Sequence, residues 1–302
     1  MNSIRIALIV IFNHRYDKNI QTLEAIYHGR FQHIYFIIPF YDGDLPNVIP
    51  VYENSYYYEG YIAQAYKSYF KEEYSHYFFI ADDMMLNPAI NESNMLEHLQ
   101  MNHSSCFLPD IRNIHQLQHK RNIRYAYEFD IRRWGVEAVN EIPSYGDALK
   151  ALERFNYEIR PLKYNEIYDK EKLFSKIKRL IKFYTGKKES HELSYPLVGA
   201  YSDLVVVSKK SIRKFAHYCG VFAAMDLFVE IAIPTALMLS AETISQEKDL
   251  KFKGKYLWSR QELKELDKFN NNLSDLMKNF PAGYLYLHPV KLSGWDNNLL
   301  MN

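Results

Sequence analysis

Short apolar runs and segments of helical period take turns along the first 90 residues. That alternation restricts the fold more than any other property of the chain. Residues 4–12, 33–40, 48–52 and 76–81 are rich in Ile, Val, Phe and Tyr and read as strands. Between them, residues 19–27 place Ile20, Leu23, Ile26 and Tyr27 on one helical face, and residues 60–70 form a second helix. The order strand, helix, strand, strand, helix, strand implies an α/β fold with a mostly parallel sheet covered on both faces and right-handed crossovers.

With 302 residues and 48% hydrophobic content, the chain suffices for one large core or two closely packed lobes. A net charge of +1 argues against a nucleic-acid partner. Cys106 and Cys219 stand far apart with no ligand spacing, so neither a disulfide framework nor a zinc site is expected, and a reducing compartment fits. The apolar start runs into Asn13-His14-Arg15-Tyr16-Asp17 without a cleavage site and reads as a first strand, not a signal peptide. The longest apolar stretch, 220–241, holds Asp226, Glu230 and Pro234 and reads as a buried helix rather than a membrane span. Pro234 should kink it.

The fourth run, Tyr77-Phe78-Phe79-Ile80-Ala81, ends in Asp82-Asp83, followed by Asn87-Pro88 as a loop signal. Ligands of open α/β sheets bind at the carboxyl ends of strands. Two acids there are placed to hold a divalent cation that completes its shell with substrate phosphates. Their alternative role is to cap the next turn. Asn13, Arg15 and Tyr16 follow the first strand and fall on the same rim, where Arg can pair with a phosphate and Tyr can stack on a base. The alternative reading of Arg15 is a solvated loop cation. Asp226 and Glu230, four residues apart on one helix, share a face in apolar surroundings. Burial there raises a carboxyl pKa and suits a general base. The other reading makes Asp226 a cap and gives Glu230 a core cation. His288 and Lys291 lie in a late apolar segment, where an imidazole can complete a metal shell and a lysine can neutralise a diphosphate.

Residues 91–101 and 144–156 read as helices, with a polar stretch at 112–134 between them. The loop 195–203, with Gly199, Ser202 and Asp203, leads into a strand at 204–207 and a helix at 209–218. A basic amphipathic segment begins at Lys172 and ends at Lys188. Its apolar stripe, Leu173, Phe174, Ile177, Leu180, Ile181 and Tyr184, suits either an anionic membrane surface or docking on the protein core.

Taken in order, these segments resemble the GT-A-type glycosyltransferases that use nucleotide sugars, of the kind that build bacterial surface glycans. The first strand with Asn13 to Asp17, the Ile80-Ala81-Asp82-Asp83 segment, the loop at 199–203 before an acid-bearing helix, and the late His288 and Lys291 carry the resemblance. It implies a single domain over 1–302 with one Rossmann-like sheet: a donor-binding half (1–110), a helical insertion (111–190) and an acceptor-side half (191–302). It implies Mn²⁺ or Mg²⁺ held by Asp83 with Asp82 and His288, and donor contacts from Asn13, Arg15, Tyr16, Asp82 and Lys291. Asp226 or Glu230 would activate the acceptor, with Gly199, Ser202 and Asp203 on the acceptor side. The acceptor would be a glycan or lipid-linked saccharide, reached from the cytoplasmic face of a membrane through the Lys172 to Lys188 segment. Ala81 stands where a strict Asp-x-Asp motif has its first acid, so the chain departs from that motif at this position. Two alternatives remain open: a nucleotidyltransferase, against which the absence of glycine after the first strand counts, and a non-catalytic binding protein for carbohydrate or lipid surfaces.

Overall fold

The computed structural model describes residues 5–114, 120–133, 135–163 and 192–296. The segment from Lys172 to Lys188 lies outside them. Ten strands are described: β1 (Ile6–Ile11), β2 (His33–Pro39), β3 (Val48–Val51), β4 (His76–Ala81), β5 (Met85–Leu86), β6 (Cys106–Leu108), β7 (Leu204–Ser208), β8 (Ile244–Gln246), β9 (Lys253–Tyr256) and β10 (Tyr284–His288). The helices are α1 (Asn19–Tyr27), α2 (Glu59–Tyr69), α3 (Met95–His98), α4 (Lys120–Glu128), α5 (Val136–Asn140), α6 (Tyr145–Glu153), α7 (Lys209–Ala224), α8 (Val229–Ser240), α9 (Arg260–Leu263) and α10 (Leu273–Lys278).

Seven strands form a mixed, mostly parallel sheet in the order β3-β2-β1-β4-β7-β6-β8. Only β7 runs against its neighbours, β4 and β6. Every residue of β1 and β4 is buried, as expected of strands covered on both faces. Alternate residues supply opposite cores. Ala7, Ile9 and Ile11 face the cluster built with α2, α7 and α8, while Ile6, Leu8 and Val10 face the one built with α1 and the C-terminal segments.

Beyond the single expected sheet lies a second, β5-β10-β9, of three short strands. In it β10 pairs antiparallel with β5, Leu287 opposite Met85. Residues 91–101 are mostly not helical; only Met95–His98 is. Asn91 and Asn94 divert the chain instead, accepting from Ser93 N–H at 2.9 Å and Asn91 N–H at 2.9 Å.

The stretch 220–241 is not one helix. Gly220 lies inside α7, where a Cβ would come 2.9 Å from that of Ala63, so glycine allows α2 and α7 to approach closely. The helix then ends at Ala224 in a Schellman motif. Leu227 N–H reaches Phe222 O at 3.0 Å and Asp226 N–H reaches Ala223 O at 3.0 Å. Asp226 is the left-handed residue of that motif, with φ at 50°. Glu230 stands in the first turn of the next helix. Asp226 and Glu230 therefore do not share a helical face, contrary to the expectation from spacing.

Pro234 sits within α8, whose apolar residues are buried throughout. The Glu230 carbonyl that a residue-234 N–H would have engaged instead accepts from Ala200 N–H at 3.0 Å. Thr235 Oγ1 accepts from Val198 N–H at 3.0 Å. The loop before β7 is thus tied to α8 at two points. No helix among the described residues is long and apolar enough to cross a membrane.

Candidate functional site

Parallel pairing of β1 with β4 puts Asn13 and Asp82 on the same carboxyl rim, and Asp82 N–H donates to Ile11 O at 2.9 Å. The turn after β4 is held from below. Tyr27 OH donates to Met84 O at 2.9 Å, and Arg30 donates to Asn87 O at 2.7 Å and Ile90 O at 2.8 Å. Val290 N–H donates to Asp83 O at 2.7 Å, and pairing of β10 with β5 brings His288 to the same turn. The antiparallel β7 delivers Asp203 from the other side, where its carbonyl accepts from Ala81 N–H at 2.9 Å.

The result is a compact ionisable cluster. His288 Nε2 stands 2.8 Å from Asp83 Oδ1 and 4.0 Å from Asp203 Oδ2. Asp83 Oδ1 is buried and has no aligned hydrogen bond despite that proximity, and Ser202 Oγ is likewise buried without a partner. Tyr201 OH lies 2.5 Å from His288 Nδ1, which orients the ring, and Tyr58 OH donates to Asp203 Oδ1 at 3.4 Å.

Burial strongly shifts these groups. Asp82 is pushed up to about 7 by burial and by the charge of Asp83, against an opposing hydrogen bond from the Asn13 backbone. Burial also raises Asp203, against the pull of His288. For His288, burial opposes the charged form, but Asp83, Asp203 and Asp82 outweigh it and raise the imidazole above its ordinary value.

Glu230 joins the cluster through a relay. Its Oε2 lies 3.9 Å from Arg112 Nη1, and Arg112 Nε donates to Asp110 Oδ2 at 2.5 Å. Asp110 Oδ1 accepts from Tyr201 N–H at 2.8 Å. Gly199 pairs its backbone with Arg112, donating and accepting at 3.3 and 2.7 Å. Asp226 instead lines a separate cavity of about 160 Å³, with Tyr125, Glu128 and Phe228.

Arg15 is exposed and engaged with two acids: it lies 3.0 Å from Asp17 and also pairs with Asp42. Tyr16 is exposed beside His14, and Lys291 is exposed in the turn after β10. The structure therefore brings together Asn13, Asp82, Asp83, Ser202, Asp203 and His288, and links Glu230 and Gly199 to them. Tyr58, Tyr201, Asp110 and Arg112 escape sequence reading. No motif marks them, although Asp110 stands just beyond a strand end, where ligand residues collect. The exposed Phe40–Tyr52 pair, with ring centroids 6.0 Å apart, is also on the rim; Phe40 holds a left-handed φ of 55°.

Among the described residues, no three or more His, Cys, Asp or Glu side chains form a complete metal-binding group. The Asp83 and Asp203 carboxylates, which both approach His288 Nε2, do fit a hard cation that takes few protein carboxylates and fills its shell from substrate oxygens. No protein-family model matches the chain, and no curated protein matches it at a significant level.

Proposed function

We propose that this protein is a glycosyltransferase of GT-A type, moving a sugar from a nucleotide-sugar donor to a glycan or lipid-linked saccharide. The observation that carries this reading is the convergence of the Asp82, Asp83 and Asp203 carboxyl groups on His288 at the carboxyl rim, with Asp83 Oδ1 2.8 Å and Asp203 Oδ2 4.0 Å from His288 Nε2. A site that gathers several carboxyl groups around one imidazole favours a ligand that supplies positive charge.

Asp83 and Asp203, with His288 Nε2, would hold Mn²⁺ or Mg²⁺, which when bound offsets charge on a departing diphosphate. Asn13 and Asp82 flank the donor, and Tyr16 offers a face to the base. Arg15 reaches a phosphate by exchanging Asp42 or Asp17 for it, and Lys291 adds a second cation. Glu230, joined to the cluster through Arg112 and Asp110, removes the acceptor hydroxyl proton. That oxygen attacks the anomeric carbon, the bond to the diphosphate oxygen breaks, and the nucleoside diphosphate leaves with the electron pair. This is an inverting course. The Lys172 to Lys188 segment is proposed as the peripheral contact with anionic lipid, on the cytoplasmic face.

A thermal-shift screen with UDP, GDP, CDP, ADP and dTDP, each with and without Mn²⁺, tests the reading. One diphosphate should raise the melting temperature, more so with Mn²⁺, and Asp83→Ala should abolish the metal-dependent part. No shift with any nucleotide would overturn it.

A further inference from the structure

Trp258 is 64% exposed, although indole is among the most favourable groups to bury. Its surroundings are nevertheless fixed. Leu257, just before it, is buried and donates its N–H to His288 O at 2.8 Å. Ser259, just after it, forms a capping box with Glu262: Ser259 N–H reaches Glu262 Oε2 at 2.7 Å and Glu262 N–H reaches Ser259 Oγ at 3.2 Å. Lys255 pairs with Glu265 at 2.8 Å and holds the same segment from the far side. Both neighbours of the indole are thus anchored while the ring itself stays in water.

The ring stands over the candidate cluster. Its centroid is 5.4 Å from that of His288, with the planes 74° apart. The edge-to-face contact sets the indole beside the imidazole that approaches Asp83 and leaves most of the ring uncovered. Such a plate next to carboxylates matches a pyranose. The axial C–H bonds of one sugar face lie against an aromatic ring, and the hydroxyls around it reach acidic acceptors.

We infer that Trp258 is the stacking platform for a pyranose ring at this cluster, from the donor or from the acceptor. The inference rests on the glycosyltransferase reading for its place in a reaction, and the test separates the two. The chain has three tryptophans, so Trp134→Phe with Trp295→Phe leaves Trp258 as the only indole. Its fluorescence is titrated with methyl glycosides of glucose, galactose and N-acetylglucosamine, with UDP and GDP plus Mn²⁺, and with UDP-glucose, UDP-galactose, UDP-N-acetylglucosamine and GDP-mannose.

A nucleotide sugar that shifts the emission, where its diphosphate does not, places the donor pyranose on Trp258. A methyl glycoside that shifts it places an acceptor sugar there. In either case Trp258→Ala in the wild-type background should weaken sugar binding about tenfold, read by calorimetry, while Trp258→Phe retains most of it. If diphosphates bind in the thermal screen but no sugar in any form moves Trp258, the platform is wrong and the transferase reading stands. If glycosides move Trp258 and no nucleotide binds, the platform stands and the transferase reading falls. Silence in both overturns both.

Discussion

Ala200 donates its backbone N–H to the carbonyl of Glu230 at 3.0 Å, in place of the helical donor that Pro234 lacks. A proline in a helix interior typically costs about 3 kcal/mol, in part through the lost hydrogen bond. Here that carbonyl is satisfied, and the loop entering β7 is fixed by the same bond. Pro234→Ala is therefore expected to recover only about 1 kcal/mol of that cost, because the Glu230 carbonyl already has a donor and would share its two lone pairs between Ala200 and the new N–H. Urea unfolding measures the stability, and faster hydrogen exchange at the Ala200 amide reports the loosened loop. A gain near the full proline penalty would show that the Ala200 bond contributes nothing.

Arg30 is a partly buried cation whose partners are carbonyls. It donates to Asn87 O and Ile90 O, stands 5.2 Å from the Tyr27 ring centroid, and is lowered in pKa chiefly by burial. Arg30→Ala would leave these carbonyls without their donor, at a cost of about 2–4 kcal/mol. Tyr27→Phe removes the bond to Met84 O and the weaker one from Leu86 N–H at 3.4 Å, and should cost about 1–1.5 kcal/mol. Both clamp the turn carrying Asp82 and Asp83, so Arg30→Ala should also weaken nucleotide-dependent thermal shifts. Equal stabilities for the two variants would refute this division of roles.

His76 gives the fold an acid limit. It is buried at the start of β4, Nε2 3.2 Å from Ser105 O and Nδ1 3.1 Å from Ser75 Oγ, and burial pushes it down to about 4. The unfolded chain takes up this proton near 6.5 and the folded one near 4. Between those values the unfolded state binds more protons, so the contribution is full above pH 6.5 and is lost as pH falls through 4. The loss is on the order of 3 kcal/mol. Urea unfolding of the wild type and His76→Gln from pH 4 to 7.5 should show the gap between them narrowing as acid is added; a constant gap would rule it out.

Much of the main sheet is legible because its strands are buried on both faces, so β1 and β4 appear as unbroken apolar runs ending where polar residues begin. α1 is legible for the complementary reason: Ile20, Leu23, Ile26 and Tyr27 all lie on its buried side. The small sheet is not, because β5 and β9 have only 2 and 4 residues and are defined by their partner β10. The helix break at Asp226 hides in the sequence because an acid stands where a Schellman turn usually has glycine. Asp82 and Asp83 announce themselves at a strand end, but Tyr201 beside His288 and Arg112 beside Glu230 depend on distant segments meeting, and neither pair has a local signal. Spacing placed Asp226 with Glu230, whereas chain reversal at Asp226 separates their elements.

Tyr201 offers a test of the cluster that leaves its charges in place. Tyr201→Phe removes the hydroxyl 2.5 Å from His288 Nδ1 and keeps the ring that packs 4.7 Å from Tyr256. Losing an orienting partner of this kind typically costs 10- to 100-fold in affinity or activity. The expected outcome is a fall of about that size in metal-dependent nucleotide binding, with folding stability reduced by about 1–2 kcal/mol. Calorimetry with the diphosphate found in the thermal screen reads the first, and urea unfolding the second. Unchanged binding would mean that His288 needs no orientation from Tyr201.

The two acids of the apolar stretch make opposite predictions. Asp226 occupies the left-handed position that ends α7, where glycine is better tolerated than any side chain, and it lines a cavity against α4. Asp226→Gly should raise stability by up to about 1 kcal/mol, by relieving the left-handed backbone of a side chain, and leave sugar transfer intact. Glu230 approaches Arg112 and through it Asp110 and Tyr201, so it has a route to the cluster that Asp226 lacks. Glu230→Gln should lower kcat by about 10²- to 10⁴-fold, the usual worth of a general base, with little change in donor affinity. Transfer assays with the donor identified by binding decide between them. A stabilised Asp226→Gly protein that no longer transfers sugar, beside an active Glu230→Gln, would reverse the roles assigned to the two residues.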